Sequence, residues 1–208
     1  MRTRTRPDGA PLRIYRTVPS QVIGWGMVGG ALLLSLLTAR DLIEGRTSGP
    51  VDVVPPLALI VGVAAVAMVL FLRPKAVLYP DRVELTNVLS DVVVPFTRVE
   101  DVTFQWALEL HDDQGRRHSA WAVPVRREMV RRRSIDDFAE TTRRRGSAGT
   151  TAQTAADEVL RALGRWRLEG GEAAADAPDA PRVTQTVAWP AVVALGLAIA
   201  LAVAALLG

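Results

Sequence analysis

Three long runs of the chain lack charged residues, and polar segments separate them. The runs lie at residues 20–39, 53–72 and 187–207. A bilayer core about 30 Å thick requires about 20 apolar residues in a helix that rises about 1.5 Å per residue. Each run reaches that length, so the pattern predicts three transmembrane helices.

Residues 76–125 follow a different pattern, in which apolar and polar positions alternate between turn residues. Val83 and Leu85 flank Glu84, for example, and a turn-forming tetrapeptide occupies residues 112–115. Period-two alternation punctuated by turns is typical of an antiparallel β-sheet. The pattern predicts six strands, at 77–79, 82–88, 91–95, 98–105, 107–111 and 117–123.

Helical periodicity replaces the alternation after residue 133. Two helices are predicted, at residues 135–145 and 155–168. In the second, Val159, Leu160, Leu163 and Trp166 recur at helical spacing and form an apolar stripe. We expect this stripe to pack on the sheet of its own domain, and docking at a membrane surface is the alternative.

These elements predict an α+β membrane protein with a helical hairpin, a small antiparallel β domain and a final span. One or more amphipathic helices end the β domain. The predicted segments are a basic tail that we expect to be disordered (1–19), the first span (20–39), an external loop (40–52), the second span (53–72), the β domain (73–170), an acidic Ala/Pro tether (171–186) and the third span (187–207).

The distribution of charge predicts how the chain crosses the membrane. The net charge is +3, and the excess lies in the arginine-rich tail, because residues 73–182 carry equal numbers of acidic and basic side chains. Short flanks rich in Arg and Lys stay in the cytoplasm. We therefore expect a multi-pass protein of the cell membrane whose tail and residues 73–186 are cytoplasmic and whose C-terminus is external.

The sequence offers few groups for catalysis. It contains no cysteine, which excludes disulfides and thiolate metal sites. The usual acyl-transfer, phosphoryl-transfer and metalloprotease motifs are absent as well. The two histidines, His111 and His118, flank a predicted hairpin beside Asp112 and Asp113. A weak metal site is one interpretation and a solvated hairpin end is the preferred one, so we predict no enzyme activity, no cofactor and no metal.

Small residues recur within the first and third runs. Residues 24–29 match G-x-G-x-x-G, but dinucleotide binding requires a preceding strand, and here the flanks are predicted to lie in the membrane. Small residues instead allow helices to approach closely. Candidate packing positions are Gly26, Gly30, Gly196, Ala200 and Ala204; for the last three, an alanine-rich composition is the alternative explanation.

Eight arginines are concentrated between residues 126 and 145, where only four acidic residues occur. Anionic lipid attracts each such group by about 1 kcal/mol near the surface. The candidate lipid contacts are Arg126, Arg127, Arg131, Arg132, Arg133, Arg143, Arg144 and Arg145. A solvated linker is the alternative. Nucleic acid is not expected, because aromatic residues are not interleaved with the arginines.

The stretch RPKAVLYPDRVELTNVLSDVVVPFTRVEDVTF, residues 73–104, resembles bacterial PH-like (pleckstrin-homology-like) membrane proteins of the actinobacterial low-molecular-weight protein antigen 6 type. Shared features are an apolar hairpin ahead of the domain, the Asp81-Arg82 turn and the Val94-Pro95-Phe96 step. The resemblance covers about residues 53–125. It implies a small PH-like β-sandwich or barrel closed by a helix, either 135–145 or 155–168.

The resemblance supplies no substrate. The loop that would grip a phosphoinositide holds one basic residue, Arg82, so binding by that route is not expected. We therefore expect a non-catalytic module at the inner membrane surface that interacts with an unknown protein partner or with itself. The alternative is a module that responds to anionic membrane lipids through Arg126–Arg145.

Overall fold

The computed structural model describes residues 9–46, 49–124, 152–175 and 179–207. In chain order its elements are β1 (Arg13–Tyr15), α1 (Val18–Ile43), α2 (Pro50–Val66), a π-helical segment (Ala67–Leu72), β2 (Lys75–Leu78), β3 (Arg82–Thr86), β4 (Ser90–Pro95), a 3-10 turn (Phe96–Arg98), β5 (Val99–Thr103), β6 (Ala107–Asp112), β7 (Arg117–Pro124), α3 (Ala152–Leu168), α4 (Gly171–Ala175), β8 (Thr184–Val187) and α5 (Trp189–Leu207).

The chain divides into two compact units. The β unit comprises Met1–Thr17, Lys75–Thr86 and Val92–Gln185. The helical unit comprises Val18–Pro74, Asn87–Asp91 and Thr186–Gly208.

The helical unit contains three helices that are long and apolar enough to cross a membrane. They span Val18–Ile43, Asp52–Leu72 and Trp189–Leu206. Each coincides with one of the predicted runs, and α1 extends beyond its run at both ends because Val18, Pro19 and residues 40–43 also adopt helical backbone. The helices are compatible with a multi-pass membrane protein, as the sequence predicts.

Close contacts within the helical unit involve the π-helical segment. Val69 is buried together with Ala191 of the third span and with Ala188, the residue just before that span. A Cβ atom added at Gly24 would lie 2.6 Å from the side chain of Leu72. Glycine at position 24 therefore allows α1 to approach the end of the second span.

The β unit contains two antiparallel sheets. One has the strand order β1-β2-β3-β4-β8, and the other has the order β5-β6-β7. Inward side chains from both sheets form one core, which includes Leu85, Val94, Phe96, Leu108 and Leu110. Strands β2 to β7 confirm the six predicted strands, with ends that shift by two residues or fewer.

Helix α3 packs on this core, which confirms the expectation that its apolar stripe serves its own domain. Val159 and Leu163 are buried, and Trp166 packs against the core, where its ring makes a T-shaped contact with Phe96. Leu160 is 44% exposed and does not belong to the stripe. Four alanines complete it instead, and their small side chains let the helix lie close to the strands; they are Ala152, Ala155, Ala156 and Ala162. The other predicted helix, 135–145, lies outside the described residues.

Two predicted irregular segments contain strands. Arg13–Tyr15, within the predicted disordered tail, forms β1 and pairs with β2, and the Tyr15 side chain is fully buried. Thr184–Val187, at the end of the predicted tether, forms β8, and α4 occupies Gly171–Ala175. Edge strands this short are held by backbone hydrogen bonds to a neighbour, so their side chains need not show a periodic pattern.

Candidate functional site

The arginine cluster predicted from the sequence falls outside the described residues. All eight positions belong to the segment 125–151, so their contact with lipid stays a prediction; they are Arg126, Arg127, Arg131, Arg132, Arg133, Arg143, Arg144 and Arg145.

The small residues predicted to mediate helix packing face open space within the described chain. A Cβ atom added at Gly26, Gly30 or Gly196 would meet no other atom within 4 Å among the described residues. Ala200 and Ala204 are exposed. Their role in packing against a neighbouring molecule stays a prediction. Inside the chain, the close approach is made by Gly24, which the G-x-x-x-G pattern does not identify.

The two histidines do not face each other across the β6–β7 hairpin. His118 lies opposite Leu110, and His111 lies opposite Arg117. Because neighbouring positions on a strand point to opposite faces, the rings are on different sides of the sheet. His111 contacts the Thr103 hydroxyl at 3.2 Å, and His118 is buried beside Asp112. A metal site that joins both histidines is therefore ruled out by register.

Asp112 is a buried carboxylate at this hairpin, where a solvated end was expected. One oxygen accepts hydrogen bonds from the backbone N–H groups of Gln114 at 3.0 Å and Arg116 at 2.8 Å. The other lies 3.0 Å from Nε2 of His118. Burial opposes ionisation, but the hydrogen bonds from His118 and the two backbone groups outweigh it and lower the pKa of Asp112.

The outer face of the β5–β6–β7 sheet carries a second shielded carboxylate. Glu109 is 4% exposed. Its oxygens lie 3.3 Å from the Ser119 hydroxyl, 3.4 Å from the Thr103 hydroxyl and 3.7 Å from Arg117. Across the described ranges, no group of three or more His, Cys, Asp or Glu side chains is placed to hold a metal ion.

Arg82, in the loop that the family resemblance would assign to phosphoinositides, makes contacts within the domain. Its guanidinium bonds Glu84 at 2.8 Å and Asp81 at 3.1 Å, and lies 4.0 Å from the centre of the Tyr79 ring. The side chain is 13% exposed. These contacts hold the turn and leave little of the guanidinium for a ligand.

Three exposed aromatic residues lie at one end of the β5–β6–β7 sheet, and we call them the aromatic surface. Phe104 and Trp106 belong to the β5–β6 turn and are 40% and 65% exposed. Trp121 is 67% exposed and lies in the bulge of β7 that follows Ala120. The bulge ends at Pro124, which pairs with Ala107 of β6. Large exposed aromatic side chains are a common feature of the energetic centres of protein interfaces.

A cleft of about 470 Å³ separates β1 and β2 from α3, and we call it the basic cleft. It is lined by Leu12, Arg13, Leu78, Glu158, Arg161 and Arg165. Leu12 is held to the end of β2 by a backbone hydrogen bond to Leu78 of 2.8 Å. Glu158, Arg161 and Arg165 are three and four residues apart, a spacing that puts them on one face of the helix.

Tyr15 and Glu158 hold the two walls of the basic cleft together. The buried Tyr15 hydroxyl donates a hydrogen bond of 2.6 Å to Glu158, and Arg13 lies 3.6 Å from the same oxygen. Burial, and then the hydrogen bond to the carboxylate, raise the pKa of Tyr15 far above its usual range. The phenol therefore stays protonated and acts as a donor.

The sequence does not predict the basic cleft, although one part of it follows the helical pattern. Arg161 and Arg165 stand four residues apart on a predicted helix. Arg13 belongs to the segment predicted to be a disordered tail, and nothing in its own pattern indicates that it pairs with residue 158. The comparisons with known proteins add no information, because no family model, curated protein or solved structure matches this chain.

Proposed function

We propose that this chain is a non-catalytic integral membrane protein that presents its β unit at the inner membrane surface for protein interaction or assembly. The aromatic surface carries the proposal. Trp106 and Trp121 are 65% and 67% exposed, whereas most of the other large apolar residues in strands β2 to β7 are buried in the core. Keeping such residues in water is unfavourable, and binding a partner removes that cost.

The connections between strands and helices support a fixed position at the membrane. Two residues join β1 to α1, two join the π-helical segment to β2, and Ala188 alone joins β8 to α5. Three strands of one sheet are thus each joined, at one of their ends, to a helix that can span a bilayer. Such short links argue against a diffusing adaptor and favour a module that meets its partner at the membrane.

The cytoplasmic orientation and the PH-like character are parts of the same proposal. Arg13, Arg16, Arg73, Lys75 and Arg182 flank the predicted spans on one side, which favours the cytoplasm for that side. Two antiparallel sheets with a helix after the last strand of the second sheet are the features that a PH-like domain would require. The lipid-responsive alternative through Arg126–Arg145 rests on composition alone.

Site-specific photo-cross-linking in native membranes tests the proposed interaction. A photoreactive phenylalanine analogue would replace Trp106 in one variant and Trp121 in another. Leu168, which is 89% exposed at the end of α3, would be the matched control position. We expect discrete protein adducts, or a dimer of this chain, from positions 106 and 121 and none from 168. Absence of adducts at all three positions would contradict the proposal.

A further inference from the structure

The charges in the basic cleft do not balance. Three arginines, Arg13, Arg161 and Arg165, line the cleft together with a single acidic residue, Glu158. That carboxylate already accepts the Tyr15 hydroxyl at 2.6 Å and pairs with Arg13 at 3.6 Å. Two positive charges on α3 therefore remain uncompensated within the cleft.

The two helical arginines are poorly satisfied by the protein itself. Arg161 donates from Nε to the backbone carbonyl of Asp157 at 3.1 Å, which leaves its terminal nitrogens available. Arg165 has no side-chain hydrogen bond or ion pair with any residue of the described ranges. Like charges four residues apart destabilise a helix by about 0.2–0.5 kcal/mol. An anion between them would remove that repulsion.

The shape of the cleft suits a small ligand with a charged head. Its volume of about 470 Å³ falls within the range of small-molecule sites, about 300–1,000 Å³. Leu78 provides a buried apolar wall, and Leu12, 47% exposed, lies at its rim. Tyr15 and Glu158 fix both walls, so the arginines project from a pre-organised frame.

We propose that the basic cleft binds a phosphate group through Arg161 and Arg165, with Arg13 on the opposite wall. The planar fork of arginine matches phosphate oxygens in bidentate geometry and forms charge-assisted hydrogen bonds. Glu158 positions Arg13 and does not contact the ligand. The phosphate belongs either to a phospholipid headgroup or to a soluble phosphate ester, and the experiment below distinguishes the two sources.

The test uses the full chain in nanodiscs. In neutral phosphatidylcholine discs, calorimetric titration with inorganic phosphate and glycerol 3-phosphate measures binding from solution. Discs that also contain phosphatidylglycerol, followed by release into detergent and native mass spectrometry, measure retained lipid. The test variant is Arg161→Gln/Arg165→Gln, and the matched control is Arg117→Gln/Arg167→Gln, which removes the same charge from exposed arginines outside the cleft.

We expect the test variant to lose at least about tenfold in affinity, because charge-assisted hydrogen bonds are removed, while the control changes less than about twofold. Binding in the calorimetric arm assigns a soluble phosphate ester, and retention in the second arm assigns a phospholipid. A third variant, Arg161→Lys/Arg165→Lys, keeps both positive charges but lacks the planar guanidinium groups that bind phosphate oxygens in pairs. It should bind with intermediate affinity.

Absence of binding in both arms overturns the proposal, and so does an equal loss in the test and control variants. Far-ultraviolet circular dichroism of each variant confirms that it is folded. The aromatic surface is not involved, so failure of this inference leaves the proposed protein interaction intact, and failure of the cross-linking leaves this inference intact.

Discussion

At the scale of single residues, Asp112 organises the β6–β7 hairpin. Its carboxylate receives two backbone N–H groups of the turn and contacts His118 on the following strand. Gly115, with φ of +72°, supplies the left-handed backbone that the turn requires. The sequence predicts the turn from its Asp and Gly residues. Asp112 continues the inward face of Leu108 and Leu110, but as the first residue of the turn tetrapeptide it is expected to be solvated, so the sequence does not predict its buried pair with His118.

Asp112→Asn is expected to lower the free energy of unfolding of the β unit by about 1–3 kcal/mol near neutral pH. The amide of Asn keeps one oxygen that can accept from the two backbone N–H groups, but it lacks the negatively charged oxygen that lies beside His118. Chemical unfolding of the full chain in micelles, followed by tryptophan fluorescence, measures the change. Asp113→Asn is the control, since Asp113 is 42% exposed and pairs with Arg98 at the surface; its effect should stay within about 0.5 kcal/mol.

The effect of Asp112→Asn should depend on pH in a defined direction. Because the folded pKa of Asp112 is lowered, the ionised carboxylate contributes fully above its unfolded pKa of about 3.9. That contribution is lost as the pH falls through the folded pKa. The difference between the two proteins should therefore shrink in acid. A difference that is constant from pH 7 to pH 3 would contradict this assignment.

At the scale of elements, α3 is fixed by a narrow set of buried positions. Leu163→Ala should reduce the free energy of unfolding by about 2–5 kcal/mol, because the side chain is 3% exposed and its removal leaves a cavity. Leu160→Ala removes the same atoms from a 44% exposed position and should cost less than about 1 kcal/mol. Thermal unfolding of both variants in micelles makes the comparison, and equal losses would contradict the packing of α3.

Arg73, just after the second span, holds the β3–β4 turn within the helical unit. It donates to the carbonyls of Asn87 and Val88 and forms two hydrogen bonds, of 2.8 and 2.7 Å, with Asp91. From the sequence, Arg73 is predicted only to help orient the second span in the membrane. Its partners lie fourteen to eighteen residues away, beyond the reach of local pattern.

Arg73→Gln should loosen this turn, because one neutral amide cannot replace four donated hydrogen bonds to the turn. We expect amide hydrogens of residues 87–91 to exchange at least about tenfold faster, which mass spectrometry of the full chain would detect. Exchange in α3 should not change. Unaltered exchange in the turn would show that Arg73 does not hold it.

The strands differ in how far the sequence predicts them. Strands β2 to β7 follow one another along the chain, and their alternating apolar residues supply much of the core. The sequence pattern therefore predicts these strands. Strand β1 has three residues, and β8 is exposed along its length. Both join the sheet through backbone hydrogen bonds to distant segments, so their own sequences need not alternate between apolar and polar residues. The basic cleft has the same origin, because the hydrogen bond from Tyr15 to Glu158 spans 143 residues.

At the scale of the whole molecule, three strands of the β unit are joined through one or two residues to helices that are long and apolar enough to span a bilayer. The sequence predicts these three helices because the thickness of a bilayer requires a minimum length and an apolar composition from each one. The side of the membrane is predicted from charge alone, which favours the cytoplasm for the β unit. Since the chain contains no cysteine, single cysteines can report this topology without background.

Cysteine accessibility in intact cells tests this central claim most directly. Ser48→Cys reports the loop between the first two spans, and Gln114→Cys reports the β6–β7 turn. A membrane-impermeant maleimide should label position 48 in intact cells and position 114 only after permeabilisation. Labelling of position 114 in intact cells, or of neither position before permeabilisation, would contradict a β unit held at the inner surface by three membrane-spanning helices.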